Sequence, residues 1–87
     1  MNPKRLWARI QQGHVHNIDF NDFCRLIEAF GFFLHRLESS HRMYVRDAVA
    51  ELLNVQPMRD GSAKHYQVRQ FRDLVKEYDL KLKGAAR

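Results

Sequence analysis

Residues 32–45 read FFLHRLESSHRMYV, two short apolar segments separated by Ser39-Ser40. A third apolar segment follows at 52–55 and stops before Pro57. Short segments rich in aromatic and branched residues, divided by small polar ones, predict an antiparallel three-stranded meander. The alternation of apolar and polar residues is imperfect, so the pattern leaves open which face of the sheet meets the core.

Helices are predicted on both sides of this meander. The upstream helix is indicated by apolar residues at helical spacing: Phe20, Phe23, Cys24, Ile27 and Phe30. Asp19 is expected to cap this helix and Gly31 to end it. After a loop at 58–64, a second apolar stripe predicts a helix from about His65 to Leu80: Val68, Phe71, Val75, Tyr78 and Leu82.

The N-terminal part predicts a further short helix. Asn2 can cap it and Pro3 suits its first turn, while Leu6, Trp7 and Ile10 form its apolar stripe. Residues 14–17 are interpreted as a linker, and the basic tail 81–87 is expected to fray. The predicted fold class is therefore α+β, one domain over residues 1–87 with an N-terminal helical extension at 1–16. Helices would cover one sheet face and leave the other open to a ligand.

The charge of the chain indicates polyanionic partners. The net charge is +5 and the isoelectric point is near 9.8, with the excess of bases at the two ends. Nucleic acid is the first partner class that such a charge attracts, although solubility alone also explains it. Cys24 is the only cysteine, which excludes an internal disulfide and suits a cytoplasmic protein. No apolar run approaches the roughly 18–20 residues of a membrane span, and we expect neither a membrane segment nor a signal peptide.

Among the five histidines, His41 has the most suggestive surroundings. A two-residue hairpin loop would set Glu38 opposite His41, with Arg36 on the same face. Histidine can exchange a proton near neutral pH, and RNA cleavage requires a base that activates the 2′-OH. An incidental surface histidine remains the alternative. His14 and His16 form an H-x-H pattern, but without a third ligand a metal site is not expected. His35 is interpreted as an ordinary strand residue, and His65 as a surface residue able to contact phosphate.

At these positions the chain resembles the HicA family, small mRNA interferase toxins of type II toxin–antitoxin systems. The family order of a helix ending in Gly-Phe, a basic strand residue and Gly-Ser-His-His is similar to Gly31-Phe32, Arg36 and Ser39-Ser40-His41-Arg42. The likeness extends over nearly the whole chain, with further similar segments at 3–14, 52–56 and 66–71. It implies a double-stranded-RNA-binding-domain-like α-β-β-β-α fold, here with an extra N-terminal helix.

The resemblance also implies function. It makes His41 the catalytic residue of a metal-independent endoribonuclease that needs no cofactor, acts on mRNA and pairs with a HicB-like antitoxin. The expected RNA-binding residues are Arg36, Ser40, Arg42, Arg69, Arg72 and Lys76. Asp73 and Glu77 can pair with the last three along the helix.

Two residues depart from the family pattern: Ser39 stands for its glycine and Arg42 for its second histidine. These departures leave two alternatives open. The chain could be a non-catalytic RNA-binding module, or a catalytically impaired partner of a HicB-like antitoxin.

Overall fold

The computed structural model describes residues 1–83 and contains three helices and one three-stranded sheet in this part of the chain. Their bounds are α1 Pro3–Gln11, α2 Phe20–Ala29, β1 Phe33–Glu38, β2 His41–Val45, β3 Leu53–Val55 and α3 His65–Glu77. The strands are antiparallel in the order β1-β2-β3. The α+β class and the order of elements predicted from the sequence are therefore confirmed.

Local sequence signals set the ends of α1 and α2. The Asn2 side chain accepts hydrogen bonds from the backbone N–H groups of Lys4 and Arg5, and Asp19 accepts one from Asp22 at 3.1 Å. Both are N-caps of the expected kind. Gly31 follows α2 with a φ of +94°, and a Cβ at this position would lie 2.9 Å from the Arg46 guanidinium. The left-handed backbone favours glycine here, and the absence of a side chain leaves room for the Arg46 guanidinium.

α3 ends three residues earlier than the apolar stripe predicts, at Glu77. Asp79 adopts a φ of +51°, and the N–H of Leu80 reaches back to the carbonyl of Val75 at 2.9 Å. This is a Schellman ending with aspartate where glycine is usual, and it also brings Leu80 over Val75. The apolar residues beyond Glu77 pack against the core without continuing the helix.

The core lies between the helices and one face of the sheet. Tyr44, Leu53 and Val55 point to that face and are at most 2% exposed. Phe71 of α3 is fully buried and makes edge-on contacts with the rings of four other aromatic residues: Trp7, Phe23, Phe30 and Phe32. Leu6 and Ile10 are buried in the same cluster, so α1 is an integral part of the core.

The segments predicted as linker and tail both contact the core. Val15 in the predicted linker and Ile18, which directly follows that linker, are each 1% exposed and belong to the core. At the other end, Leu82 packs against the core and the N–H of Lys83 donates to the carbonyl of Ala29 at 2.9 Å. The expectation of fraying is therefore wrong for residues 81–83, and residues 84–87 lie outside the described part.

The strand β1 is exposed along its whole length. Phe33 and Leu37 are 55% and 61% exposed, and the pairing with β2 shifts by one residue at His35. A bulge of this kind twists the free edge of a sheet.

Across residues 1–83, no helix combines the length and apolarity of a membrane span.

Candidate active site

His41 is the first residue of β2, directly after the hairpin loop, and lies on the sheet face that the helices leave open. Ser39 and Ser40 form the loop, and Ser39 has a φ of +57°. Two-residue hairpin loops favour glycine where the backbone is left-handed. Serine at this position therefore adopts a backbone conformation that glycine would adopt without strain.

The register brings two β1 side chains beside His41, as predicted. Glu38 is its direct cross-strand partner, and Arg36 pairs with Met43, which lies two residues further on the same face. The Arg36 guanidinium and the Glu38 carboxylate are 3.1 Å apart, and both side chains are more than half exposed. Surface ion pairs of this kind contribute about 0–1 kcal/mol, so a phosphate can displace Glu38 from Arg36 at little cost.

A residue that the sequence reasoning did not select completes the site. The Oδ1 of Asn54 lies 3.1 Å from the Nδ1 of His41. Asn54 sits in the middle of β3 between the buried Leu53 and Val55, so its side chain points to the open face. The alternation of Leu53, Asn54 and Val55 was a signal for that orientation, but the contact with His41 depends on the strand register.

The backbone of Asn54 is held from the other side by α3. The side-chain amide of Gln67 donates to the Asn54 carbonyl at 3.4 Å, and its oxygen accepts from the Gln56 N–H at 3.2 Å. These are two outward-facing backbone groups on the outer edge of β3. Gln67 therefore pairs with this edge as a neighbouring strand would.

Arg42 lies on the sheet face opposite to His41. Its Cζ is 5.9 Å from the ring centroid of Phe20, within the range of a cation–π contact. It is half-buried on the helix side of the sheet. Arg42 therefore does not share the open face with His41, Arg36 and Asn54.

The cations of α3 lie on other parts of the surface. Arg69 borders a shallow depression together with Glu51, Asp73 and Glu77, and Arg72 contacts Asp73 at 3.3 Å. Lys76 lines a groove of about 470 Å³ between α1 and α3, whose rim also carries Lys4 and Lys81. Of the six expected RNA-binding residues, Arg36 and Ser40 are thus the ones grouped with His41 at the hairpin.

The remaining histidines do not join this site. The rings of His16 and His65 face each other, with centroids 4.5 Å apart, and His35 lies at the exposed bulge of β1. Within residues 1–83, no group of three or more His, Cys, Asp or Glu side chains has the arrangement of a metal site.

The helix side of β2 contrasts with the open face, because the ionisable groups described there are unreactive near neutral pH. Tyr44 is fully buried and donates to a Glu28 carboxylate oxygen at 2.9 Å. Burial and this hydrogen bond raise the pKa of the Tyr44 phenol well above its usual value. Burial also raises the pKa of the Cys24 thiol. Both groups therefore stay protonated near neutral pH, and Cys24 is not placed to act as a nucleophile.

Comparison with family models, with curated proteins and with solved structures gives no match.

Proposed function

We propose that this protein is a metal-independent endoribonuclease of the HicA kind, in which His41 transfers the proton. The observation that carries the proposal is the position of His41: on the open sheet face, at the hairpin tip, with Arg36 on the same face. The double-stranded-RNA-binding-like architecture belongs to the same proposal, and the order α2-β1-β2-β3-α3 is compatible with it.

The proposed reaction needs few groups. Neutral His41 removes the proton of a ribose 2′-OH, the 2′-oxygen attacks the adjacent phosphorus, and the bond to the 5′-oxygen breaks. The leaving 5′-oxygen takes a proton from the imidazolium or from water, which gives a 2′,3′-cyclic phosphate and a 5′-OH end. Proton transfer by a positioned side chain contributes about 10²–10⁴-fold. Arg36 would stabilise the negative charge that develops on the phosphate oxygens.

The charges around the site favour a polyanionic substrate. Arg36 can exchange its exposed partner Glu38 for a phosphate, because both groups remain in water. The bases at the two ends of the chain add to the attraction at longer range. A HicB-like antitoxin that covers the open face would block access to His41, and an acidic partner surface would suit the same charges.

The test is incubation of the purified protein with RNA in EDTA. We expect cleavage by the native chain and by His35→Ala, a matched control on exposed β1, and none by His41→Ala. The three proteins should melt at similar temperatures, since neither histidine is buried. The cut ends should carry cyclic phosphate. Undiminished cleavage by a folded His41→Ala variant would refute the proposal.

RNA binding without cleavage is the second candidate function. It is favoured by the positive φ of Ser39, where the family has glycine, and by Arg42, which replaces the second histidine. Under this alternative the native chain retains RNA in a gel-shift assay but leaves it intact over hours in EDTA. The same cleavage experiment therefore separates the two candidates.

A further inference from the structure

We infer that Asn54 is a positioning residue that fixes the ring orientation and the tautomer of His41, so that the Nε2 atom carries the reactive lone pair. This inference rests on the proposed function of His41. The observation behind it is the 3.1 Å contact between the Asn54 Oδ1 and the His41 Nδ1.

The chemistry of the two atoms determines which tautomer the contact favours. An amide oxygen can only accept a hydrogen bond, so the Nδ1 atom of His41 must donate and carry the ring proton. The Nε2 atom of the neutral ring is then unprotonated and is the atom able to remove the 2′-OH proton. In free neutral histidine the proton is mainly on Nε2. In that tautomer the reactive lone pair would be on Nδ1 and would point at Asn54. The contact therefore selects the form that is useful for catalysis.

Asn54 lies on a strand that is fixed by core packing on one face and by hydrogen bonds at its edge. Its neighbours Leu53 and Val55 are each 2% exposed and anchor β3 in the core. Gln67 fixes the backbone on both sides of Val55 through the Asn54 carbonyl and the Gln56 N–H. A side chain on a clamped strand can orient its partner, whereas the same side chain in a mobile loop could not.

The other groups facing His41 do not supply the same contact. From β1 these are Glu38, the cross-strand partner, and Arg36, which pairs with Glu38. From β3 it is the neutral Asn54. The Glu38 carboxylate contacts Arg36, whereas Asn54 contacts a ring nitrogen of His41.

The contact can be tested by NMR without any activity. Long-range ¹H–¹⁵N spectra of histidine-labelled protein report which ring nitrogen is protonated. We expect His41 to be mainly the Nδ1–H tautomer in the native chain and mainly Nε2–H in Asn54→Ala. Asn21→Ala, on an exposed position of α2, is the matched control and should resemble the native chain. An unchanged tautomer in Asn54→Ala, or a native ring protonated on Nε2, would overturn the inference.

The kinetic test uses two Asn54 variants. Loss of one neutral hydrogen bond should lower kcat of Asn54→Ala by about three- to tenfold, with KM unchanged. In Asn54→Asp a carboxylate beside the ring stabilises the imidazolium, so the low-pH limb of the rate profile should move up by about one pH unit. At pH values above that limb, the Asp variant should recover most of the rate. A higher KM at unchanged kcat would instead make Asn54 a substrate-binding residue and overturn the positioning role.

Different results would refute the proposed function and the positioning role of Asn54. Cleavage that survives in His41→Ala removes the proposed function, while the NMR arm still decides whether Asn54 fixes the His41 ring. Cleavage that depends on His41 but has the same kcat and pH profile in both Asn54 variants removes only the positioning role.

Discussion

Removal of a single buried hydroxyl, in Tyr44→Phe, should destabilise the fold by about 1.5 kcal/mol. The Tyr44 side chain is fully buried, and its hydroxyl donates to Glu28 at 2.9 Å. Hydrogen bonds to charged groups contribute about 1.5–3 kcal/mol. We expect the low end of this range because Glu28 is otherwise exposed and water can replace the lost donor. For a domain of this size, such a loss lowers the Tm by about 6–12 °C.

The same residue predicts how stability depends on pH at the alkaline end. The raised pKa of the Tyr44 phenol means that the folded state holds a proton which the unfolded chain releases above about pH 10. The stabilisation is therefore fully present below about pH 10 and is lost as the pH rises beyond it. Tyr44→Phe has no such proton, so the difference between the two proteins should shrink above pH 10. Other tyrosines and lysines titrate in both proteins and cancel in the difference.

Urea unfolding followed by tryptophan fluorescence can measure both effects. Trp7 is the only tryptophan, and its ring lies 4.9 Å from that of Phe30 in the core. The native chain and Tyr44→Phe should be compared at pH 8 and at pH 10.5–11. Tyr66→Phe, at a position 55% exposed, is the control and should change stability by less than about 0.5 kcal/mol. Equal stabilities of Tyr44→Phe and Tyr66→Phe at pH 8, or a difference that grows with pH, would refute the reasoning.

Three further predictions concern the core, the hairpin and the charge. Phe71→Ala should cost about 3–5 kcal/mol, comparable to the whole stability of a small domain, and thermal melting should lose its cooperative transition. Ser39→Gly relieves the strain of a left-handed backbone and should raise the free energy of unfolding, measured in urea, by about 0.5–1 kcal/mol. Cleavage should be at least as fast as in the native chain, and a destabilised variant would contradict this assignment of strain. RNA affinity measured by fluorescence anisotropy should fall with salt, by about 0.7 in the log–log slope for each phosphate contacted on a single strand, and a flat response would argue against electrostatic binding.

The helices were predictable because their signals are local. The spacing of Phe20, Phe23 and Ile27, with Asp19 before and Gly31 after, fully specifies α2 within one stretch of chain. The end of α3 was not predictable in the same way, because Asp79 takes a backbone conformation that usually requires glycine. Val15 in the predicted linker and Ile18 just after it are three positions apart, which is too short a pattern to reveal their burial.

The sheet and the site were predictable only in part, because they depend on contacts distant in sequence. The apolar residues of β1 indicated a strand correctly, yet they stay exposed, since no helix covers that edge. The pairing of Glu38 with His41 followed from the two-residue loop. The contact of Asn54 with His41 did not, because the 46–52 connection, with a left-handed Ala48, sets the β2–β3 register in a way that no turn motif in the sequence specifies.

The pairing of Gln67 with β3 has a consequence for how the sheet can grow. One edge of the sheet is occupied at Asn54 and Gln56 by a side chain from the same molecule, whereas no strand within residues 1–83 pairs with the outer edge of β1. A strand from outside can therefore join at one side only. Two copies joined through β1 would leave an occupied edge at each outer end, so such an assembly closes as a pair and does not propagate into a fibre.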